Sequence, residues 1–313
     1  MILVTGASGF LGHAVCAELV GRGQPVTALV RRPGSEPPGT VPVIGDLTDA
    51  AAIAAAVRSA APDCVFHLAA EIGTQRNSSK INEVNVRGTR RLVDACEAAG
   101  VRRLVFASTV VTGDARGTLL TEDTPLPVQT PYGRSKQEGE RILRESALEG
   151  IVIRPGHIYG PGGWYAGEII TRLRQPGRFV VVGDGANLWD VVHVEDVATA
   201  IIDAAEKAAP GAVLHCADDR GVTQYDFVAE TARALGVGPP RRTPVWLARL
   251  ITGSGPAATV VRSARTSNAK LKRELGWTPR YPTIDTGIPA AVAAIGRLSA
   301  VLSFGRSGDH SQR

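Results

Sequence analysis

The sequence predicts a doubly wound α/β fold: a parallel sheet covered by helices on both faces, with a smaller C-terminal lobe. Three observations lead there. Short apolar runs alternate with helical stretches through the first half of the 313 residues. Hydrophobic residues make up 44% and charged residues 21%, the balance of a folded globular chain rather than a disordered or fibrous one. A glycine-punctuated turn directly follows the first apolar run, and such sheets bind ligands beyond the carboxyl ends of their strands.

Residues 2–5, 25–30, 41–44, 63–68, 103–107 and 151–154 read as buried parallel strands, being short apolar runs bounded by turn residues. Residues 10–22, 50–60, 81–99 and 132–148 read as the intervening helices, with Gly100 and Gly150 placed as C-caps of the last two. The second half is less regular. Residues 179–182 read as a short strand, 194–205 as a helix and 213–216 as a returning strand. Residues 225–235 and 244–252 read as helices before a break at 253–256. This predicts a nucleotide-binding domain from 1–160 with 190–218, and a substrate lobe from 161–189 with 219–296. Residues 297–313 read as a flexible tail, polar and Ser/Gly-rich from Ser303.

The formal charge is +5, and no basic block exceeds two residues, so nucleic acid is not an expected partner. Cys16, Cys64, Cys96 and Cys216 are scattered through apolar stretches, with no C-x-x-C and no histidine at zinc-ligand spacing. Free buried thiols, no metal and a reducing compartment are the expectation. The chain opens on MILVTG, which reads as a strand already, so no secretory leader is expected. The apolar stretch 287–304 is interrupted by Pro289 and Arg297 and falls short of the ~18 apolar residues of a spanning helix. A cytoplasmic protein without a membrane partner is expected.

The glycine turn is Thr5-Gly6-Ala7-Ser8-Gly9-Phe10-Leu11-Gly12. Gly6 permits the tight turn, Gly9 lets the backbone approach phosphate, and Gly12 lets helix and strand pack closely. The following helix start offers free N–H donors and the positive end of its dipole to a pyrophosphate. The spacing is TGxxGxxG, and here the chain resembles the extended short-chain dehydrogenase/reductase family, whose nucleotide domain is Rossmann-like. Further similar segments span almost the whole length: Asp46-Leu47, His67-Leu68-Ala69-Ala70, Asn85 in NVRGT, Arg154-Pro155, Tyr159-Gly160-Pro161, GDGANLWDVVHVEDVA at 183–198 and SNAKLKRELGW at 267–277. The resemblance implies a nicotinamide cofactor held by Gly6, Ser8, Gly9, Phe10, Leu11, Gly12, Asp46, Leu47, Leu68, Ala69, Ala70, Asn85, Pro155, His157 and Ile158. His193, in the HVEDV run, reads as structural rather than as a base.

Tyr132 and Lys136 stand one helical turn apart on one face. A tyrosine near pKa ~10 is a poor base at neutrality, and a nearby ammonium together with the nicotinamide's positive ring favours its phenolate and lowers that pKa. Such a tyrosine exchanges a proton with the substrate oxygen as hydride moves. In the family the lysine also hydrogen-bonds the nicotinamide ribose. The family's catalytic hydroxyl lies five residues before a glycine, which from Gly113 falls on Ser108, with Thr109 next in line. Its role is to hydrogen-bond the reacting oxygen, and the plainer reading of Ser108 is a cap on the strand end.

At the end of the second strand an NAD enzyme places a carboxylate, but this chain has Arg31-Arg32. Two guanidiniums suit a 2′-phosphate, so NADP(H) is expected over NAD(H); solvated loop arginines are the plainer reading. For substrate, Trp189 stands where sugar-nucleotide relatives often carry an arginine for the diphosphate. The resemblance therefore leans to the 3β-hydroxysteroid dehydrogenase and dihydroflavonol reductase side. Glu71, Thr109, Val111, Trp164, Tyr165 and Trp189 are the pocket candidates, with lobe core the other reading of the aromatic ones. The function expected is NADP(H)-dependent ketone/alcohol hydride transfer on a medium-sized, largely apolar small molecule. A nucleotide-sugar 4-epimerase or 4-ketoreductase is the alternative, and a non-catalytic NADP(H) sensor a third that the intact Ser/Tyr/Lys set argues against. A homodimer is expected through helices 81–99 and 132–148, which carry Val84, Leu92, Val93, Ile142 and Leu143.

Overall fold

The computed structural model describes all residues except 74, 76, 176–179, 248–261 and 308–313. The nucleotide half is built from β1 (Ile2–Thr5), α1 (Phe10–Gly21), β2 (Val26–Val30), β3 (Val41–Ile44), α2 (Ala50–Ala60) and β4 (Cys64–His67). Then comes a continuous helical stretch, α3, made of Ser78–Asn82, the π-helical Glu83–Arg87 and Gly88–Ala98. It is followed by β5 (Arg103–Ala107), α4 (Pro131–Arg144), β6 (Glu149–Pro155), α5 (Val194–Lys207) and β7 (Val213–Cys216). Among the described residues these strands form one parallel sheet in the order β7-β6-β5-β4-β1-β2-β3. The order reverses between β1 and β4, and the crevice for a dinucleotide opens there.

Alternation along the strands feeds two cores. Val4, Phe66, Val105, Ile151 and Ile153 pack on Val15 and Leu19 of α1 and Val197 and Ile201 of α5. Their neighbours Leu3, Val65, Leu104 and Val152 point the other way, onto Ile53 of α2, Leu92 and Val93 of α3, and Ile142 and Leu143 of α4. Of the apolar residues on the two helices expected to form a dimer contact, some of which must face the sheet, Leu92, Val93, Ile142 and Leu143 are buried against it, and Val84 packs on the same core.

Two local expectations change. The run 41–44 is not buried: β3 pairs with β2 alone, and as the sheet edge it leaves Val41 62% and Ile44 49% exposed. Gly150 is not a helix cap, because α4 ends at Arg144 and Gly150 lies inside β6. Glycine is needed there for space, since a Cβ would sit 2.6 Å from Leu143 Cγ.

The second lobe packs α6 (Gln224–Ala234) against the helix Ile284–Ser307, with α7 (Ala269–Leu275) lying on the first core. Its interior holds Tyr159, Tyr165, Trp189, Phe227, Ile284 and Ile288. The last helix runs to Ser307, through 297–307 where composition suggests a flexible tail; Leu298, Ala300 and Leu302 are good helix formers. The strand expected from 179 begins at Val180, residue 179 lying outside the described residues. Of the helix expected at 244–252, residues 245–247 are helical; the remainder from 248 and the break at 253–256 lie outside the described residues. No helix among the described residues is long and apolar enough to cross a membrane.

Candidate active site

At the crevice, Gly6 adopts φ +70° and presses against the turn after β4, so that a Cβ would lie 2.6 Å from Ala69 N. A Cβ on Gly12 would lie 2.1 Å from Gly6 O, while Gly9 N–H donates to Gly6 O at 2.9 Å. α1 therefore starts on Gly9 with extended backbone, no side-chain cap and no acid in its first turn. The N–H groups of that turn remain available to an anion, and the loop fits a pyrophosphate. Ser8 is exposed beside them, and Leu11 packs on the first core. Phe10 lies against the run after β6, where a Cβ on Gly163 would meet its ring at 2.7 Å.

The turn His67-Leu68-Ala69-Ala70 is held from beneath. Thr5 Oγ1 accepts from Ala69 N–H at 3.3 Å and lies 2.8 Å from His67 Nδ1. Thr89 Oγ1 donates to Asn85 O, so His67 Nε2–H donates to Thr89 and Nδ1 accepts from Thr5. Burial pushes the ring down to about 3, with Lys136 adding to the effect, and fixes this neutral tautomer. Asn85, expected at the cofactor, instead commits its amide to the chain. Its Oδ1 accepts from Glu71 N–H at 2.7 Å, and Nδ2 donates to Glu71 O and to Ser135 Oγ, both at 2.9 Å. Ser135 Oγ in turn donates to Tyr132 O at 2.7 Å. The π-turn that carries Asn85 thus pins the post-β4 loop to α4, a local widening of the kind that recurs at functional sites.

α4 starts at Thr130, whose hydroxyl accepts from Gly133 N–H at 2.9 Å, with Pro131 at its first position. This start presents Tyr132 and Lys136 on one face. The Tyr132 ring packs against Gly73, and burial pushes its phenol up to about 12. The expectation of a lowered phenol pKa rests on the ammonium and the nicotinamide ring together; in the protein alone burial raises it instead. Lys136 is 2% exposed, its Nζ 4.1 Å from the centre of the Phe106 ring. Burial pulls its ammonium down to about 7, and Glu140 works in the opposite sense.

Ser108 is buried at the end of β5, and its hydroxyl donates to Glu140 Oε1 at 2.5 Å. Arg154 donates to the same carboxylate through Nε at 2.9 Å and Nη2 at 2.6 Å. Ser108 is therefore not aimed at substrate as a donor. Thr109, also buried, accepts from Val111 N–H at 2.9 Å and donates to Pro155 O at 3.3 Å. A charge-assisted bond contributes about 1.5–3 kcal/mol and a neutral one about 0.5–1.5, so Thr109 is the easier of the two hydroxyls to redirect. Glu140 and Arg154 are the residues that sequence reasoning missed as a pair. The spacing of Glu140, one turn beyond Lys136, was the available signal.

Arg31 and Arg32 are exposed at the end of β2. Asp46 lies near Arg31; its Oδ1 accepts from Thr48 N–H and Oγ1, which with Arg31 hold it below the usual carboxylate range. Leu47 is buried where Gly88 of α3 passes, and a Cβ on Gly88 would come within 2.9 Å of its Cβ. Leu68, Ala69, Ala70, Ile158 and His157 are half-buried along the crevice, and Pro155 is buried. His157 stacks on Trp189 with ring centres 5.1 Å apart, and burial, with Arg262, pushes it down to about 3.

The substrate candidates divide. Tyr165 is fully buried, its hydroxyl 3.1 Å from Thr231 Oγ1, and Trp189 is 8% exposed among His157, Trp164 and Phe227. Both are lobe core and not pocket floor. Trp164 is half-buried, anchored by its indole N–H to Ile158 O at 2.7 Å, and Val111 is half-buried too. Glu71 forms an ion pair with Lys80 at 2.9 Å. His193 caps α5 by accepting from Glu195 N–H at 3.3 Å, a structural place. Arg262, which sequence reasoning passed over, is buried with its Nε donating to Gly113 O at 3.1 Å and Nη2 to Asp190 at 3.4 Å.

Residues 2–217 match the model of the NAD dependent epimerase/dehydratase family. The chain is 33% identical over 300 residues to a 3-diazoavenalumate denitrifying reductase of Streptomyces sp, covering 92% of this chain and 98% of that one. It is 36% identical over 223 residues to a 2-alkyl-3-oxoalkanoate reductase of Stenotrophomonas maltophilia, covering 67% of each. Among solved structures it is similar to the UDP-glucose 4-epimerase of Thermus thermophilus in complex with NAD. That match has a TM-score of 0.82 at 26% identity and covers 94% of this chain and 98% of the other.

Proposed function

Because the chain belongs to the NAD dependent epimerase/dehydratase family, we propose that it is an NADP(H)-dependent reductase that delivers hydride to a ketone-type carbon of a medium-sized, largely apolar substrate. The observation that carries the reading is the pair on α4: Tyr132, its ring packed at Gly73, one turn from a buried Lys136. A tyrosine held as an acid serves reduction, in which the nascent alkoxide takes a proton. The two reductases among the relatives point the same way.

Reduced nicotinamide supplies the hydride when it is bound. The Gly6–Gly12 loop and the first turn of α1 would hold its pyrophosphate, and Arg31 and Arg32 its 2′-phosphate. Tyr132 gives its proton to the substrate oxygen. Lys136 meets the phenolate that remains, and Thr109 turns from Pro155 O toward the same oxygen. Trp164 offers the aromatic surface that an apolar substrate needs. The free thiols of buried Cys16 and Cys96 and half-buried Cys64, pushed up to about 12, suit a reducing cytoplasm. A homodimer through α3 and α4 would meet on their charged outer sides, Arg90, Arg141 and Glu145 among them.

The likeness to an NAD-bound epimerase favours the second reading, a nucleotide-sugar 4-epimerase. The two part on cofactor turnover, since an epimerase recycles its nicotinamide and a reductase releases it. We expect stoichiometric NADPH consumption with an apolar ketone, followed at the reduced-nicotinamide absorbance. Interconversion of UDP-glucose and UDP-galactose without added cofactor, read by chromatography, would replace this reading with the alternative.

The cofactor choice has its own check. Arg31→Ala with Arg32→Ala should weaken NADPH by about tenfold or more per lost phosphate contact and leave NADH nearly unchanged. Equal dissociation constants for NADPH and NADH in the unmodified protein would refute the preference.

A further inference from the structure

Glu140 is 2% exposed, and its carboxylate is held by Ser108 and Arg154. Oε1 accepts from Ser108 at 2.5 Å and from Arg154 Nε at 2.9 Å; Oε2 accepts from Arg154 Nη2 at 2.6 Å. Arg154 Nη1 reaches His215 Nε2 on β7 at 3.5 Å. Lys136 precedes Glu140 by one turn of α4, so the two side chains share a face, with Phe106 beneath the ammonium. The charged and titratable groups around this pair are Tyr132 on α4, His67 on β4, Arg154 on β6 and His215 on β7. Both histidines are held neutral by burial.

An ion pair alone would need only Glu140 and Arg154. Here the carboxylate also takes a proton donor from Ser108, and its negative charge opposes the loss of the Lys136 proton that burial promotes. We propose that Glu140 is a positioning residue of the active site: it holds the Ser108 hydroxyl away from substrate and, from one helical turn away, sets its negative charge beside the Lys136 amine. Arg154 pairs with the buried carboxylate, so that Glu140 is held as an anion one turn from Lys136 rather than left unpaired. The proposal rests on the reading of Tyr132 and Lys136 as the hydride-transfer site.

The test is a titration of the apo protein labelled with 13C,15N-lysine, the Lys136 signal being assigned by its loss in Lys136→Met. In the unmodified protein the amine should titrate near 7. Glu140→Gln removes the anion and leaves Arg154 uncompensated, and both effects disfavour the ammonium. The midpoint should fall by about one pH unit, and the alkaline limb of the pH–kcat profile should fall with it; Glu140→Asp should restore both. A fall of less than about half a unit overturns the proposal, because a purely structural carboxylate would change stability and not this midpoint. Should Glu140→Gln fail to fold, Ser108→Ala decides. Removing a hydroxyl that serves only Glu140 should lower kcat by less than about thirtyfold; a larger loss means that it serves the substrate directly and overturns the proposal. The titration needs neither cofactor nor substrate, so its failure leaves the reductase reading standing, and absent NADPH turnover leaves the titration readable.

Discussion

Tyr132→Phe should lower kcat by about 10²–10⁴-fold, the range that general-acid catalysis supplies, while NADPH binding and the melting temperature stay close to those of the unmodified protein. The substitution removes one oxygen and keeps the ring that packs against Gly73. The backbone ties of the residue, through Ser135 Oγ to its carbonyl, are untouched. The loss therefore isolates the proton, and the contrast between an intact binding isotherm and absent turnover is the measurement. A kcat within about threefold of the unmodified protein would remove Tyr132 from the chemistry and the mechanism with it.

Gly12→Ala should abolish nucleotide binding and, in most of the protein produced, the fold. Its Cβ would stand 2.1 Å from Gly6 O and 2.7 Å from Ala7 Cα, both backbone, so no side chain can rotate out of the way. Relief requires separating α1 from the turn, which reshapes the phosphate loop and lifts Val15 and Leu19 from the sheet. Overpacking of this kind costs about 1–3 kcal/mol and more where backbone must move. Gly21→Ala, in the last position of the same helix with nothing within 4 Å, is the control; it should raise stability by about 0.5–1 kcal/mol. Thermal melts of the two variants beside a fluorescence titration with NADPH separate the readings. A Gly12→Ala protein that binds NADPH normally would show that the loop is not the phosphate site.

The nucleotide half was legible because its physics is local. Residues 50–60 form a helix that starts on Asp49, whose carboxylate accepts from Ala51 and Ala52 N–H, and 2–5 form a strand flanked on both sides. What stayed hidden depends on neighbours that a linear pattern does not name. Val41 and Ile44 look like core residues until the sheet ends beside them. The π-turn over Glu83–Arg87 leaves no mark in residue type. Tryptophans at 164 and 189 read equally as pocket or core; both pack on Phe227, and it is burial that places Trp189 in the core. The site was legible as a set of residue types, while the partner of Ser108 was not. A glutamate in a charged helix looks solvated until β6 brings Arg154 over it.

The tautomer fixed at His67 has a wider consequence for how the enzyme's proton balance is interpreted. Histidine is the usual agent of charge change between pH 5 and 8. In this molecule burial moves His67, His157 and His215 to about 3 and His193 to about 4. Across the neutral range these four rings gain no proton, and their imidazole carbon shifts should stay flat in an NMR titration. Among the buried groups, those brought near neutrality are of types rarely found there: an amine, Lys136, brought down to about 7, and a carboxylic acid, Asp218, raised by burial to about 8. The two residue types that ordinarily lie at opposite ends of the pH scale meet at its centre, where these four imidazoles are silent.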